Sequence, residues 1–276
     1  MKFSTSFIYL AVLLVGSAEA LHVANLTSLR RDDVERRAAG AAFPSGIKRG
    51  LSFNDASLTH DFSSSQVSWA YNWDSSYSGT LPSGVKYIPM LWGTSSDHTT
   101  QWSANANAAI NNGAEYLLGF NEPDLSSQSN LTPQEAASAW KTYMQPFAGR
   151  AKLVSPAITN GAAPMGETWL SEFISACTGC TIDAIAMHIY DSATNEGYYQ
   201  SYISGLASQY GKPVWVTEFG ATGSTSQQET FLGSMVKYLD GLEGVAAYAW
   251  FMDEVGNLVN SDGSLTALAD AYVDNN

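Results

Sequence analysis

Ala114-Glu115-Tyr116-Leu117-Leu118-Gly119-Phe120-Asn121-Glu122-Pro123-Asp124 is a short apolar run that closes on an amide and a carboxylate. Runs of this kind recur on both sides of it, at 48–54, 67–73, 86–93, 152–159, 181–190, 213–220 and 244–251, separated by polar or helix-like stretches. Short apolar and β-branched runs alternating with helical segments are the pattern of parallel strands joined by crossover helices. With 114–122 they number eight, and eight such units close a (β/α)8 barrel. The chain is therefore read as α/β, a TIM barrel in one compact domain over 48–276. Thr132-Pro133-Gln134-Glu135 supplies an N-cap, a proline at the first helical position and a capping-box glutamate, so a helix is expected over 132–147. Further helices are expected at 102–111, 168–176, 198–210, 226–239 and 265–273, while the crossover 55–66 has room for a turn or two only. A doubly wound open sheet would carry a glycine-rich phosphate loop after its first strand, and Arg49-Gly50-Leu51-Ser52-Phe53-Asn54 is not one.

Composition narrows the function. Thirteen Lys and Arg against 26 Asp and Glu give a formal charge of -13 over 276 residues, which repels nucleic acid and other polyanions. Aromatics make up 12 % of residues, which suits binding sugar rings by their apolar faces and equally suits core packing. Residues 1–20 read as a signal peptide: Lys2, an apolar stretch from Phe7 to Gly16 too short to span a bilayer, and the small-x-small end Ala18-Glu19-Ala20. Residues 21–37 carry Arg30-Arg31 and Arg36-Arg37 and fit either a propeptide cut at a dibasic site or a charged linker, with 38–47 as an N-terminal linker. The protein is expected to be a secreted monomer, extracellular or retained in a cell wall, with no membrane partner. In that oxidising setting Cys177 and Cys180 are expected to form a local disulfide, because CTGC follows a helical pattern and precedes a strand, the reverse of a redox CxxC motif. Asn130 lies in a glycosylation sequon, as does Asn25 upstream. Too few histidines remain to build a zinc site, so no metal is expected.

In a barrel the reacting groups stand where strands end at the C-terminal side. The fourth run ends Gly119-Phe120-Asn121-Glu122 and the seventh Val216-Thr217-Glu218-Phe219-Gly220. Either glutamate alone could be a structural ion pair or helix cap. Together, three strands apart in a closed ring, they face one another across one mouth. Paired carboxylates are what glycosidic cleavage needs, one to protonate the leaving oxygen and one to attack or stabilise the anomeric carbon.

Asn121-Glu122 on the fourth strand with a glutamate ending the seventh resembles clan A of the glycoside hydrolases. The ordered set RGLSFN, VSWAYNW, YIPMLWG, LLGFNEPD, AMHIY, VWVTEFG and AYAWF, from residue 49 to 251, resembles glycoside hydrolase family 128, which includes the fungal alkali-sensitive linkage proteins. The resemblance implies retaining cleavage of β-1,3-glucan with no metal or organic cofactor; internal cleavage is expected, though the loops that block or open the cleft decide between it and cleavage from chain ends. It assigns Glu122 as acid/base, Glu218 as nucleophile and Asn121 as hydrogen-bond donor to the sugar 2-hydroxyl. It also implies Trp250, ending the eighth run, as an aromatic platform at the cleavage point. His188 and Tyr190 share a strand face above Ala184 and Ala186, where Tyr190 can hold the nucleophile. Asn54, Trp92 and Trp73 end the first three runs and are further substrate-binding candidates. Of Trp69, Tyr71 and Trp73, which share one face, the first two are expected against the helices. Trp102, Trp140, Trp169 and Trp215 are expected in helical or outward positions, and Asp124 to cap or tether the loop that follows it. A second functional reading remains open, a non-catalytic β-glucan-binding wall protein on the same barrel.

Overall fold

Eight parallel strands carry the fold: β1 (Arg49–Phe53), β2 (Trp69–Tyr71), β3 (Lys86–Tyr87), β4 (Tyr116–Leu118), β5 (Lys152–Ile158), β6 (Ala184–Ser192), β7 (Val214–Thr222) and β8 (Val245–Asp253). They hydrogen-bond in the order β3-β2-β1-β8-β7-β6-β5-β4. The chain just past β3 closes the ring, with Leu118 N–H donating to Pro89 O and Leu91 N–H to Leu118 O, both at 3.0 Å. The computed structural model describes Phe43 and residues 45–273. The signal peptide (1–20), the propeptide (21–37), Asn25 and most of the linker (38–47) lie outside the described residues, as do 274–276.

Among the described residues six longer helices cover the barrel, besides a single turn at Ser96–Thr99: α1 (Trp102–Asn111), α2 (Pro133–Ala139), α3 (Glu167–Ala176), α4 (Glu196–Tyr210), α5 (Thr225–Gly241) and α6 (Ala267–Val273). α2 begins on the expected capping box: Thr132 Oγ1 accepts from Glu135 N–H, and the Glu135 carboxylate accepts from Thr132 N–H at 2.9 Å. The expected helix to 147 is not uniform; it widens to a π turn at Trp140–Met144 and tightens to a 3₁₀ turn at Gln145–Phe147. Between β1 and β2 there is a single 3₁₀ stretch, Ala56–Asp61. Cys177 and Cys180 are joined just beyond α3. Asn130 is exposed on the loop before α2.

The barrel interior corrects two expectations. Trp69 and Tyr71 point inward, not against the helices, and so does Trp215, which meets Trp69 at 5.1 Å and Tyr116 at 4.7 Å between ring centroids. The space comes from small residues facing them: a Cβ on Gly50 would stand 2.2 Å from the Trp69 ring, and Ala184, Ala186, Ala247 and Ala249 line the same interior. Large aromatics are accommodated where neighbouring strands give up volume. Phe43 is likewise no linker residue. It is 5 % exposed and plugs the N-terminal end of the barrel, 5.6 Å from the rings of both Tyr116 and Trp215. Trp102, Trp140 and Trp169 fill the layer between strands and helices, as their spacing predicted.

Candidate active site

Strand alternation sets which side chains reach the mouth, and two local departures from it bring the glutamates there. Along β7, Trp215 faces in and Val216 out, so strict alternation would turn Glu218 outward with Val216. The pairing register shifts instead: Met187 pairs with Val216, but His188 pairs with Glu218. Thr217 is the extra residue of this bulge, and both it and Glu218 reach the interior. Bulges of this kind re-aim a side chain beside an active site. Past the end of β4, Glu122 has φ 40°, in the left-handed region, and its N–H donates to Ala157 O at 2.8 Å. Trp73, past the end of β2, has φ 58°. Such backbone costs roughly 1–3 kcal/mol per residue and persists only where the surroundings impose it.

The two carboxylates are buried, Glu122 at 8 % and Glu218 at 5 % exposure. His188 stands between them with no exposure. Its Nδ1 is 2.8 Å from Glu122 Oε1, and its Nε2 is 2.9 Å from Thr217 Oγ1 and 3.4 Å from Glu218 Oε1. Burial alone would lower the imidazole pKa, but Glu218 and Glu122 outweigh it and the net shift is upward. Oxygens of Glu122 and Glu218 lie within 4.8 Å of each other and of a His188 nitrogen. This trio has the composition of a metal site, yet both imidazole nitrogens already have partners within the protein. Glu218 is held by two further donors, Tyr190 O–H to Oε2 at 2.5 Å and Trp73 Nε1–H to Oε1 at 2.7 Å. Burial first, and then Glu218, push the Tyr190 phenol upward, so it stays protonated and donates. Gly220 makes the room, since a Cβ there would be 2.9 Å from the Tyr190 ring.

A cleft of about 750 Å³ opens over this group. Asn54, Trp73, Trp92, Asn121 and Tyr190 line it with the two glutamates, so five of the seven expected binding residues are brought together. Asn121 donates Nδ2–H to Gln128 Oε1 at 3.2 Å, while its buried Oδ1 has no partner among the described residues. A donor to sugar must therefore be its second amide hydrogen, and Oδ1 adds an acceptor.

Two expectations are corrected. His188 is fully buried beneath the carboxylates and positions them; it is not a cleft residue. Trp250 is 2 % exposed, shares the outward face of β8 with Tyr248, and donates Nε1–H to Asn257 Oδ1 at 3.0 Å. Phe251, one residue on, follows the inward Ala247 and Ala249 and lines the cleft at 37 % exposure. Its ring lies edge-on to Trp73 at 5.6 Å and to Tyr190 at 5.8 Å. The alanines of the eighth run signal this parity, just as Ala184 and Ala186 do for Tyr190. Leu125, Gln128, Thr159, Asn160, Gly161, Met165 and Met252 complete the lining and are loop or strand-end residues that no periodicity marks.

Facing glutamates on strands four and seven, at the C-terminal mouth of a (β/α)8 barrel, are the site of a glycoside hydrolase. Residues 50–272 match the family model described as glycosyl hydrolase catalytic core. The chain belongs to glycoside hydrolase family 128. It is 41 % identical to a curdlan-specific exo-β-1,3-glucanase of subgroup III from Blastomyces gilchristii, solved in complex with glucose, with a TM-score of 0.78 over 84 % of this chain and 99 % of that one. An endo-β-1,3-glucanase of subgroup II from Sorangium cellulosum is 32 % identical, with a TM-score of 0.71 over 83 % of this chain and 99 % of that one. Alkali-sensitive linkage protein 1 of Schizosaccharomyces pombe is 35 % identical over 249 residues, 82 % of this chain; the match spans 44 % of that relative's length.

Proposed function

We propose that this protein is a secreted β-1,3-glucanase that cleaves with retention of configuration. The observation that carries the reading is the pair of buried carboxylates with oxygens within 4.8 Å, bridged by His188 under an aromatic-walled cleft. A separation of about 5–5.5 Å between carboxyls leaves room for a covalent intermediate and not for an intervening water. Glu218 attacks the anomeric carbon, the bond to the leaving oxygen breaks, and Glu122 gives that oxygen its proton. Glu122, now ionised, takes a proton from water, whose oxygen attacks the same carbon and releases Glu218. Trp73 and Tyr190 keep the Glu218 oxygens aimed, and His188 holds both carboxylates in register.

Internal cleavage is the first mode proposed. Release of single units from a chain end is the second, favoured by the 41 % identity to an exo-acting enzyme. Product chromatography on linear β-1,3-glucan, with proton NMR of the newly formed anomer, tests all of this. A ladder of oligomers marks internal cleavage and glucose alone marks end release. The first-formed anomer should be β; α would overturn retention. Oligosaccharide binding without any products would instead mark a glucan-binding protein. Tyr190→Phe removes one donor from Glu218, a charge-assisted bond of about 1.5–3 kcal/mol, so kcat should fall about tenfold or more. Initial rates within twofold of the parent would show that Tyr190 does not hold the nucleophile.

A further inference from the structure

Asp124 lies two residues beyond Glu122 and takes no part in the reaction derived above. Donors from another loop nevertheless converge on its carboxylate. Thr159 Oγ1–H donates to Oδ2 at 2.6 Å, Gly166 N–H to Oδ2 at 2.8 Å, and Thr159 N–H to the same oxygen at 3.1 Å. Thr159 and Gly166 begin and end the loop between β5 and α3, so one side chain clasps both ends of it. The loop closes on itself at Gly166, which has φ 59° and whose Cβ, had it one, would stand 2.3 Å from Gly161 O. Its other anchor is Asn160, whose Nδ2 donates to Tyr190 O and to Tyr198 Oη, both at 3.1 Å, and whose Oδ1 accepts from Tyr190 N–H at 3.3 Å. The amide is thereby committed to structure. The loop runs as a strap from the strand end bearing Glu122 to Tyr190, the residue that holds Glu218, and its Met165 and Gly161 line the cleft together with Leu125.

Backbone pairing gives the two sides of the cleft their roles. Asn121, the residue expected at the 2-hydroxyl of the sugar under attack, donates its N–H to Trp92 O on the side of β3 at 2.9 Å, whereas Glu122 donates its N–H to Ala157 O on β5. Trp73, past β2, is also on the former side, whereas Phe251 on β8 stands across the mouth from Glu122 and touches both Trp73 and Tyr190. The attacked sugar is accordingly assigned to the side of Trp73 and Trp92, and the departing sugar to the strap side, toward β5.

We propose that Asp124 is a positioning residue that fixes the leaving-group wall, a neutral and largely apolar surface of Leu125, Gly161 and Met165 suited to the apolar face of a departing β-glucosyl unit. This rests on the glycosidase reading of the site. Asp124→Asn keeps one acceptor oxygen for the donors on Oδ2 but loses the charge that strengthens those bonds and turns an NH₂ group toward Thr159 N–H, which also donates to Oδ1 at 3.2 Å, so the clasp on the wall weakens.

The test compares substrates with and without a departing sugar. On laminari-oligosaccharides KM should rise about tenfold in Asp124→Asn, the loss expected from a misplaced binding wall. On β-glucosyl and β-laminaribiosyl fluorides, whose leaving group does not reach the wall, kcat and KM should stay within about twofold. Met165→Ala should show the same split, which keeps the test available if Asp124→Asn does not fold. An equal fall on both substrate types, or no fall on either, overturns the proposal. If the unsubstituted protein cleaves neither substrate, the glycosidase reading fails separately. Calorimetry then reads the wall directly: Asp124→Asn should weaken binding of laminarihexaose but not of glucose, and unchanged laminarihexaose affinity would overturn the proposal.

Discussion

Glu218→Gln is expected to lower turnover of β-1,3-glucan by about 10⁴-fold or more, because the attacking oxygen is lost and no neighbour can replace it. His188 is a fully buried spacer, and Trp73 and Tyr190 are donors aimed at Glu218. A glutamine there offers one acceptor oxygen to two donors, so one donor must face an N–H group. Thermal stability should therefore move only modestly while activity collapses. Glu122→Gln should cost about 10²–10⁴-fold, the usual contribution of general acid–base catalysis. That loss should shrink for glycosyl fluorides, whose leaving group needs little protonation. Initial rates and melting curves on the same preparations check both statements. Residual glucan cleavage within tenfold of the parent in Glu218→Gln would remove it from the nucleophile role.

The second large effect concerns Asp253, which ends β8 and takes no part in the reaction. It is fully buried, and neither carboxylate oxygen has a hydrogen-bond partner among the described residues. Burial, reinforced by Asp55 and partly offset by His60, pushes its pKa up to about 7 from 3.8. The unfolded chain therefore ionises this group first. Below about pH 4 both states hold the proton and nothing is lost. Between about pH 4 and 7 the unfolded state releases it while the folded state keeps it, so stability declines as pH rises. By pH 8 the cost reaches about 4 kcal/mol, three pKa units at 1.36 kcal/mol each. Asp253→Asn cannot ionise and should lack this slope. Urea unfolding at pH 4 and pH 8 should show the variant gaining on the parent by about that amount over the interval. His188, raised in the folded state, also loses stability as pH rises, but it is common to both proteins and cancels. Parallel pH profiles would show that Asp253 is solvated or partnered in solution.

Much of this was legible in order along the chain. Runs ending on Asn121-Glu122 and on Glu218 stand out because a carboxylate rarely closes an apolar stretch without a partner or a role. Thr132-Pro133-Gln134-Glu135 announces its helix because capping is a contact between residues three apart. Asp124 was expected to cap or tether the loop that follows it; it clasps the loop between β5 and α3 instead. The errors fall where parity matters: Trp250 for Phe251, Trp69 and Tyr71 outward for inward, Trp215 likewise. A strand run reveals that alternate residues part company, but not which set goes in. That depends on facing volumes such as Gly50 against Trp69, which lie on different strands.

The sequence by itself determined the eight-unit barrel, the helix starts, the local disulfide and the two glutamates at one mouth, because each depends on neighbours in the chain or on the count of repeating units. Tertiary structure alone decided what those glutamates touch. The extra residue at Thr217 that turns Glu218 inward, the imidazole of His188 between the carboxylates, the Phe43 plug and the strap held by Asp124 all join residues from separate strands and loops. One shifted register reverses every side chain beyond it, and no pattern within a single strand records the partner that imposes the shift.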